Sequence, residues 1–513
     1  MGYSLLCMVT FVIGMKFLTP TQNETRPISD THLPIAMTMR DKSTAHLWIY
    51  LSFASSLLLI SVTNQISQEI AVIPFLWIIP LSIYLLSFIL IYAHNSDYRR
   101  GAYLVVFAGS VLALFYVIHH PATVSLAAQI ITFCVFLFAS CMVLHGELHA
   151  IRPQADRLTN YYLMISLGGM LAGLFSGLLA PLLFNGYWEL WIALALVITV
   201  CLHVRKPERI SHHAELSRSL TIIFLIFTAG TSSIKFIGER FGMPYAERNF
   251  FGVARVTKQQ IQDSGEPIFA MSHGRTVHGI QFINPALRDR PTTYYVRDSG
   301  IGLTLLHHPR RGQGLKVGLI GLGIGTVATY GLEGDEYRMY EINPDIIRLA
   351  EGEHDFFSFI SSSKARLTTI AGDARISLQH ELDNGQHAGF DILILDAFSS
   401  DSIPVHLLTK EAFTLYMQHL AGDGVIAAHI SNIHLDLTPV FWRLAQIYGL
   451  EVVHVAVTRE IDGGYPSDWL LLTKNSSFLN IPEIYNRSKR VVNSPTHVDL
   501  WTDDFSNLLQ IIK

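Results

Sequence analysis

The sequence predicts an α-helical membrane domain over residues 1–237, a small β-region over 245–300, and a doubly wound α/β domain with a parallel-rich sheet over 301–513. Three observations carry this division. Long apolar runs crowd the first 236 residues, whereas Asp, Glu, Lys and Arg concentrate after them. A short apolar strand near residue 316 leads into a glycine-rich turn, and the next strand ends on Glu341. Beyond it, strand-like and helix-like runs alternate at the lengths of βαβ units. With 513 residues the chain exceeds one ordinary core, so more than one domain is expected.

A helix that crosses a bilayer needs about 20 mostly apolar residues. Runs at 3–19, 46–62, 71–93, 103–119, 122–145, 160–183 and 187–203 meet this need, and a weaker one spans 219–237, giving seven or eight expected helices. The first run lacks the basic start and small-residue cleavage site of a signal peptide and reads as a retained helix. Half of the residues are hydrophobic, only 15% are charged, and the mean hydropathy is +0.34, which suits a chain whose partner is a lipid bilayer. Lys and Arg occur in the loops 20–45, 94–102, 146–159 and 204–218 and are missing from the alternate ones, so the first set is assigned to the cytoplasm. Whether 219–237 crosses fully decides the side of the C-terminal domain, and the sequence leaves both sides open.

Smaller features of this half are weighed by their physics. Gly169, Gly173 and Gly177 recur every four residues and predict close helix packing. Glu69 is an ionisable group near membrane depth, read either as functional or as part of an interfacial loop. His145, Glu147 and His149 share one short stretch, but no third ligand stands nearby, so no metal is expected. Cys7, Cys134, Cys141 and Cys201 all lie in apolar segments, which leaves the C-terminal half without a disulfide framework or a cysteine-based zinc site. A net charge of −4 makes no case for nucleic acid.

In the C-terminal half, LKVGLIGLGIGTVATYGLEGDEYRMYEINPDIIRLA reads as strand, glycine turn, helix, strand, helix. Gly321, Gly323 and Gly325 allow the backbone to turn tightly and to come within contact of a ligand. Glu341 stands 20 residues after Gly321, where a carboxylate takes both ribose hydroxyls of a nucleoside. A dinucleotide site wants G-x-G-x-x-G, because the pyrophosphate docks on a helix N-terminus; here the third position is Thr326 and the spacing is G-x-G-x-G. That favours S-adenosylmethionine-type binding over NAD. Further strands are expected at 367–370, 391–395, 425–429, 451–457 and 468–473, with a helix near 436–448. Asp373 and Asp396 follow two of these strands, so Gly321, Glu341, Asp373 and Asp396 gather at carboxyl ends, where such sheets bind ligands.

Three groups of motifs carry a family resemblance. They are ISQEIAVIPFLWIIPLSIYLLSFIL with YYLMISLGGMLAGLFSGLLAPLLFNGYWEL, GLGIGT with YEINP and AGDAR, and DAFSSDSIPVHLLTKEAF with WTDDFSNLL. With these the chain resembles the polyamine aminopropyltransferases (spermidine synthases), and in particular the bacterial proteins that fuse such a domain to a multi-helix membrane region. The resemblance implies a Rossmann-like, methyltransferase-type sheet, a bacterial inner (cell) membrane location, and further helices ahead of the first one here, so that this chain would be a shortened version. It implies decarboxylated S-adenosylmethionine as co-substrate and a polyamine or other small amine as partner, and it is compatible with a homo-oligomer.

By the same resemblance Gly321, Gly323 and Gly325 line the nucleoside, Glu341 binds ribose, Asp373 binds adenine, and Asp396 orients and deprotonates the attacking amine. Such a group is needed, since an alkylamine is protonated at neutral pH and only the free amine attacks. Tyr294, Tyr295 and Asp401 are assigned to the amine, with a helix cap as the other reading of Asp401, and Asp503 with Asp504 either adds negative field or forms a solvated loop. Soluble members carry a D-E-[FY]-x-Y-H-E segment before the glycine turn, whereas this chain has PTTYYVRDSG, with Asp298 displaced; Asn343 also replaces an Asp of the family. His273 and His278 are placed on a hairpin, and His307, His308 and His429 are read as structural or as proton shuttles. Alternatives are a methyltransferase that uses S-adenosylmethionine itself, and a polyamine transporter or sensor with a non-catalytic nucleoside-binding domain.

Overall fold

The computed structural model describes residues 39–70, 76–93, 98–120, 123–202 and 244–513, without 263, 275, 398–403, 433–434, 460–462 and 493–497, and without the side chains of 39–44 and 68–70. The runs 3–19 and 219–237, Asp401 and the side chain of Glu69 lie outside the described residues. The chain divides into two compact units; the first takes in Trp77–Leu183 and the second Ala229–Lys513, with shorter pieces in each.

The first unit is helical: α1 (Met39–Asn64), α2 (Ile78–Tyr92), α3 (Arg100–His119), α4 (Leu126–Ala150), α5 (Leu158–Leu174) and α6 (Glu189–Leu202). Among the described residues four spans, Ala45–Ser67, Arg100–His119, Leu126–Ala150 and Ala155–Leu183, are long and apolar enough to cross a membrane, and two shorter apolar helices accompany them. Inside the unit, polar groups find one another, as they do where water is scarce. The hydroxyls of Tyr92 and Tyr161 are 2.5 Å apart, the Trp48 indole donates to the Ile151 carbonyl (3.2 Å), and Arg100 pairs with Glu147 (2.6 Å). His145 and His149 do not converge, since His145 Nδ1 meets Ser87 Oγ (3.0 Å) and His149 packs edge-on against Tyr92.

The tightest approach of α1 to α5 is at Gly168, one residue before the predicted row, and Gly169 of that row also faces α1, where a Cβ would lie 3.3 Å from Ser56 Oγ. A Cβ at Gly168 would strike Ser52 Oγ and sit 2.6 Å from the Ile49 carbonyl, while Gly173 and Gly177 face open space. The contact with α1 thus spans Gly168 and Gly169 and is not continued along the row. Gly168→Leu is therefore expected to push α1 from α5 and lower the thermal unfolding midpoint in detergent, whereas Gly177→Leu should leave it unchanged.

The second unit begins with an antiparallel meander, β1 (Tyr245–Asn249), β2 (Gly252–Gln260), β3 (Pro267–His273) and β4 (Thr276–Phe282). Helix α7 (Gly300–His307) follows, capped by Ser299 Oγ on the Gly302 amide. The eight remaining strands are β5 (Lys316–Ile320), β6 (Glu336–Glu341), β7 (Arg366–Ala371), β8 (Phe390–Leu395), β9 (Leu420–His429), β10 (Glu451–Val457), β11 (Ser467–Thr473) and β12 (Ser488–Arg490). They form one sheet in the order β12-β10-β11-β9-β8-β5-β6-β7. The strands from β9 to β7 run parallel, and β11 enters antiparallel beside β9. This is the Rossmann-like, methyltransferase-type arrangement. Every residue of β8 is buried, as a strand covered on both faces should be. Helices α8 (Pro344–Ala350), α9 (Ala374–Asp383), α10 (Lys410–His419) and α11 (Thr438–Tyr448) connect and cover the sheet.

One element departs from the reading of the sequence. The helix expected after the glycine turn is a single 3-10 stretch, Thr326–Tyr330. Only five residues separate Gly325 from Gly331, and three of them are β-branched, which disfavours a longer α-helix. The glycine turn therefore does not run into the N-terminus of an α-helix. That removes the feature which anchors a pyrophosphate in dinucleotide sites.

Candidate active site

The parallel strands place a cleft of about 250 Å³ at their carboxyl ends, where the chain reverses direction across the sheet between β5 and β8. Its walls include Gly321, Gly323, Glu341, Asp373, Asp396 and Tyr294. Strand-end amides hold the floor: Asp396 N–H donates to the Ile320 carbonyl (2.9 Å), Gly321 N–H to Tyr340 (2.9 Å) and Gly372 N–H to Glu341 (2.8 Å).

Gly321 has φ +95°, and a Cβ there would collide with the Asp396 carbonyl oxygen. Glycine is thus what lets the ends of β5 and β8 close on each other. Gly325 caps the 3-10 stretch at φ +78° with Ile360 against it, and it is not among the residues lining the cleft. Glu341 braces the turn from beneath: Oε2 accepts the Leu322 amide (3.0 Å) and Oε1 the Asn343 amide (2.9 Å). Burial pushes its pKa upward, partly offset by those amides. Asp373 caps α9 through Oδ1 on the Ile376 amide (3.0 Å), and Oδ2 meets His406 Nε2 (2.8 Å). That histidine contact is the largest cause holding the Asp373 carboxyl below its ordinary range.

Asp396 is buried and held on both oxygens. Tyr295 donates its phenol hydrogen to Oδ2, and His429 Nδ1 lies 2.7 Å from Oδ1. Tyr294 and Tyr295 follow Thr293, a buried β-branched residue at φ +53° whose amide donates to the Gly463 carbonyl (2.7 Å). Such a backbone costs of order 1–2 kcal/mol and persists because the surroundings enforce it. Burial first, then the Asp396 charge, push both phenols well above their ordinary range, so both stay protonated donors. Tyr294 stacks on the His429 ring (4.4 Å), and the other side of His429 stacks on Trp469 (4.7 Å).

The described lining carries three carboxylates, Glu341, Asp373 and Asp396, and no Lys or Arg. Such a cleft suits a ligand that brings positive charge and hydroxyl groups.

No family model matches the chain. A stretch of 165 residues is 31% identical to the polyamine aminopropyltransferase of Vibrio vulnificus, covering 31% of this chain and 50% of that protein. Part of this chain is homologous to a polyamine aminopropyltransferase. It spans about half the length of the curated relative it matches. Among solved structures it resembles the spermidine synthase from Thermotoga maritima, at 13% identity over 51% of this chain and 81% of that one, with a TM-score of 0.34. It also resembles a probable spermidine synthase from Corynebacterium glutamicum, at 15% identity over 48% of this chain and 89% of that one, with a TM-score of 0.35.

In this aminopropyltransferase-like chain, the residues singled out by sequence divide clearly. Gly321, Gly323, Glu341, Asp373, Asp396 and Tyr294 come together in the cleft, and Tyr295 reaches it through Asp396. Asp298 instead pairs with Arg487 (2.8 Å), and Asp503 grips Arg375 while accepting from Thr409, tying α9 to the start of α10. His308 packs against Phe478. The hairpin expected around His273 and His278 is formed by β3 and β4, and both rings reach the cleft wall. His406 was not singled out at all, and nothing local in the sequence marks it. His429 had a usable signal, since it ends a parallel strand, where ligand-side residues collect.

Proposed function

We propose that the protein is a membrane-bound, spermidine synthase-like aminopropyltransferase that moves an aminopropyl group from decarboxylated S-adenosylmethionine to an amine such as putrescine. The observation that carries this reading is Asp396. It faces a cleft whose described lining has no Lys or Arg, beside the glycine turn, with each oxygen held by a neighbour. The partial homology to a polyamine aminopropyltransferase supports the reaction class. The apolar helices support a site carried on a bacterial inner membrane.

In this reading Gly321 and Gly323 admit the sulfonium end of the nucleoside, Gly325 holds the exit of the turn, Glu341 takes the ribose hydroxyls and Asp373 the adenine amino group. Asp396 accepts a hydrogen from the amine and aims its lone pair. The free amine attacks the carbon next to sulfur, the carbon–sulfur bond breaks, and its electron pair stays on sulfur as methylthioadenosine leaves. The amine proton passes to Asp396 and on to solvent. The face of Tyr294 offers the ammonium groups a cation–π contact. Asp401 is assigned to the amine by the resemblance alone. The amino-acid carboxylate of intact S-adenosylmethionine would find no described Lys or Arg in this cleft, which favours the decarboxylated donor over methyl transfer.

The deciding assay incubates the purified protein in detergent with decarboxylated donor and putrescine or spermidine, and follows methylthioadenosine. Nucleoside binding without product from any amine would sink the enzyme reading and leave a sensor or transporter domain. Product from intact S-adenosylmethionine would move it to methyl transfer. Glu341→Gln is expected to weaken nucleoside binding by about tenfold or more, the size of a lost charge-assisted pair of hydrogen bonds. For wild type, hydroxyl donors favour the ionised carboxylate, while burial raises the Glu341 pKa from 4.5. Affinity should thus be full at neutral pH and fall on acidification, starting above the ordinary carboxylate range; isothermal titration across that range checks the sign.

A further inference from the structure

His429 has a role that the reading above does not use. Its Nδ1 is 2.7 Å from Asp396 Oδ1, and its Nε2 is 2.8 Å from Ser431 Oγ. Ser431 Oγ in turn accepts the Asp468 amide hydrogen (2.8 Å). The ring is buried between Tyr294 and Trp469, and the Trp469 indole donates to the Tyr294 carbonyl (3.2 Å), which ties the stack together. A carboxylate only accepts hydrogen bonds, so the nitrogen facing Asp396 carries the hydrogen. Nε2 faces the Ser431 hydroxyl, which also accepts from the Asp468 amide. Both ring nitrogens thus have fixed partners, and the ring is held in one orientation.

Resting on the reading of Asp396 as the amine-orienting group, we propose that His429 is a positioning residue, held in one orientation by Ser431, that locks the Asp396 carboxylate toward the amine. Tyr295 holds one oxygen and His429 the other, so the carboxylate plane cannot rotate about its Cβ–Cγ bond. One lone pair on each oxygen remains for the amine. The arrangement has the order of a serine–histidine–aspartate row with its direction reversed: here the serine fixes the imidazole, and the aspartate meets the substrate. A tethered carboxylate meets the attacking nitrogen in one geometry, and misorientation alone lowers turnover without touching nucleoside affinity.

The test separates these effects. His429→Phe keeps a ring in the stack and removes both nitrogens. It is expected to lower kcat 10- to 100-fold, with the Kd for methylthioadenosine and the KM for donor within about twofold of wild type. His429→Gln, which returns an N–H donor, should recover part of that loss. Ser431→Ala should lower kcat several-fold alone and add nothing in the His429→Phe background. Unchanged kcat in His429→Phe, equal loss of nucleoside binding, or full additivity of Ser431→Ala overturns the inference. A wild type that makes no product overturns the reading of the site together with the role of His429. A wild type that turns over while His429→Phe does so equally overturns the inference alone.

Discussion

Asp396→Asn is expected to lower turnover about 10²–10⁴-fold while leaving methylthioadenosine binding close to wild type. The range is that of a lost general base, because the amide neither takes the amine proton nor draws the ammonium. The variant also carries a structural signature. Tyr295 and His429 both donate to the carboxylate, one to each oxygen. An amide offers one acceptor, so its NH₂ group must face one of these donors in a buried place. A buried mismatch of this kind costs about 1–3 kcal/mol, and it should show as a lowered unfolding midpoint. His429→Phe combined with Asp396→Asn should recover some of that midpoint by removing one donor, without recovering activity. Turnover retained in Asp396→Asn would remove this residue from the chemistry.

Gly321→Ala is expected to be severely damaging, with loss of nucleoside binding and destabilisation on the order of 3 kcal/mol. Two effects add. The residue sits at φ +95°, where an L side chain is strained, and its Cβ would meet the Asp396 carbonyl carbon at 2.7 Å and the Ala397 Cα at 3.0 Å. All of these are backbone atoms at the ends of parallel strands, so none can swing aside. The neighbouring Gly323→Ala shares the left-handed backbone, at φ +54°, but its nearest obstacle is the His278 carbonyl at 3.2 Å. It should cost less and retain measurable binding. Equal effects of the two substitutions, read by thermal unfolding and nucleoside titration, would show that strain alone matters and that closure of β5 on β8 does not.

Much of the site was legible because its signals are local. The central strands β5 and β8 show as short apolar runs and are buried along nearly their whole length, so burial and sequence pattern coincide there, whereas β7 at the sheet edge has no buried residue. Glu341, Asp373 and Asp396 could be named because they end such runs, and a parallel sheet sends all of those ends to one side. The environment of each was not legible. Asp396 is joined by Tyr295, 101 residues earlier, and by His429, 33 residues later. His406 reaches Asp373 from the far side of a loop, and the Asp503–Arg375 pair spans 128 residues. The same holds in the helical unit, where a four-residue glycine row was visible, but not that only its first member, beside Gly168, meets α1.

By itself the sequence determined what depends on neighbours along the chain: apolar runs of membrane length, the strand and helix periods, the left-handed glycine turn, and the acid at each strand end. Only the tertiary structure decided what depends on partners distant in sequence. It shortened the helix after the turn to one 3-10 stretch, gave the close approach of α1 and α5 to Gly168, and sent Asp298 and Asp503 to arginine partners. It also turned His429 from one histidine among several into a neighbour of Asp396. Periodicity and backbone preference act over a few residues and are written in order along the chain. Hydrogen-bond partners and close packing are chosen by the sheet order, which no short stretch of sequence contains.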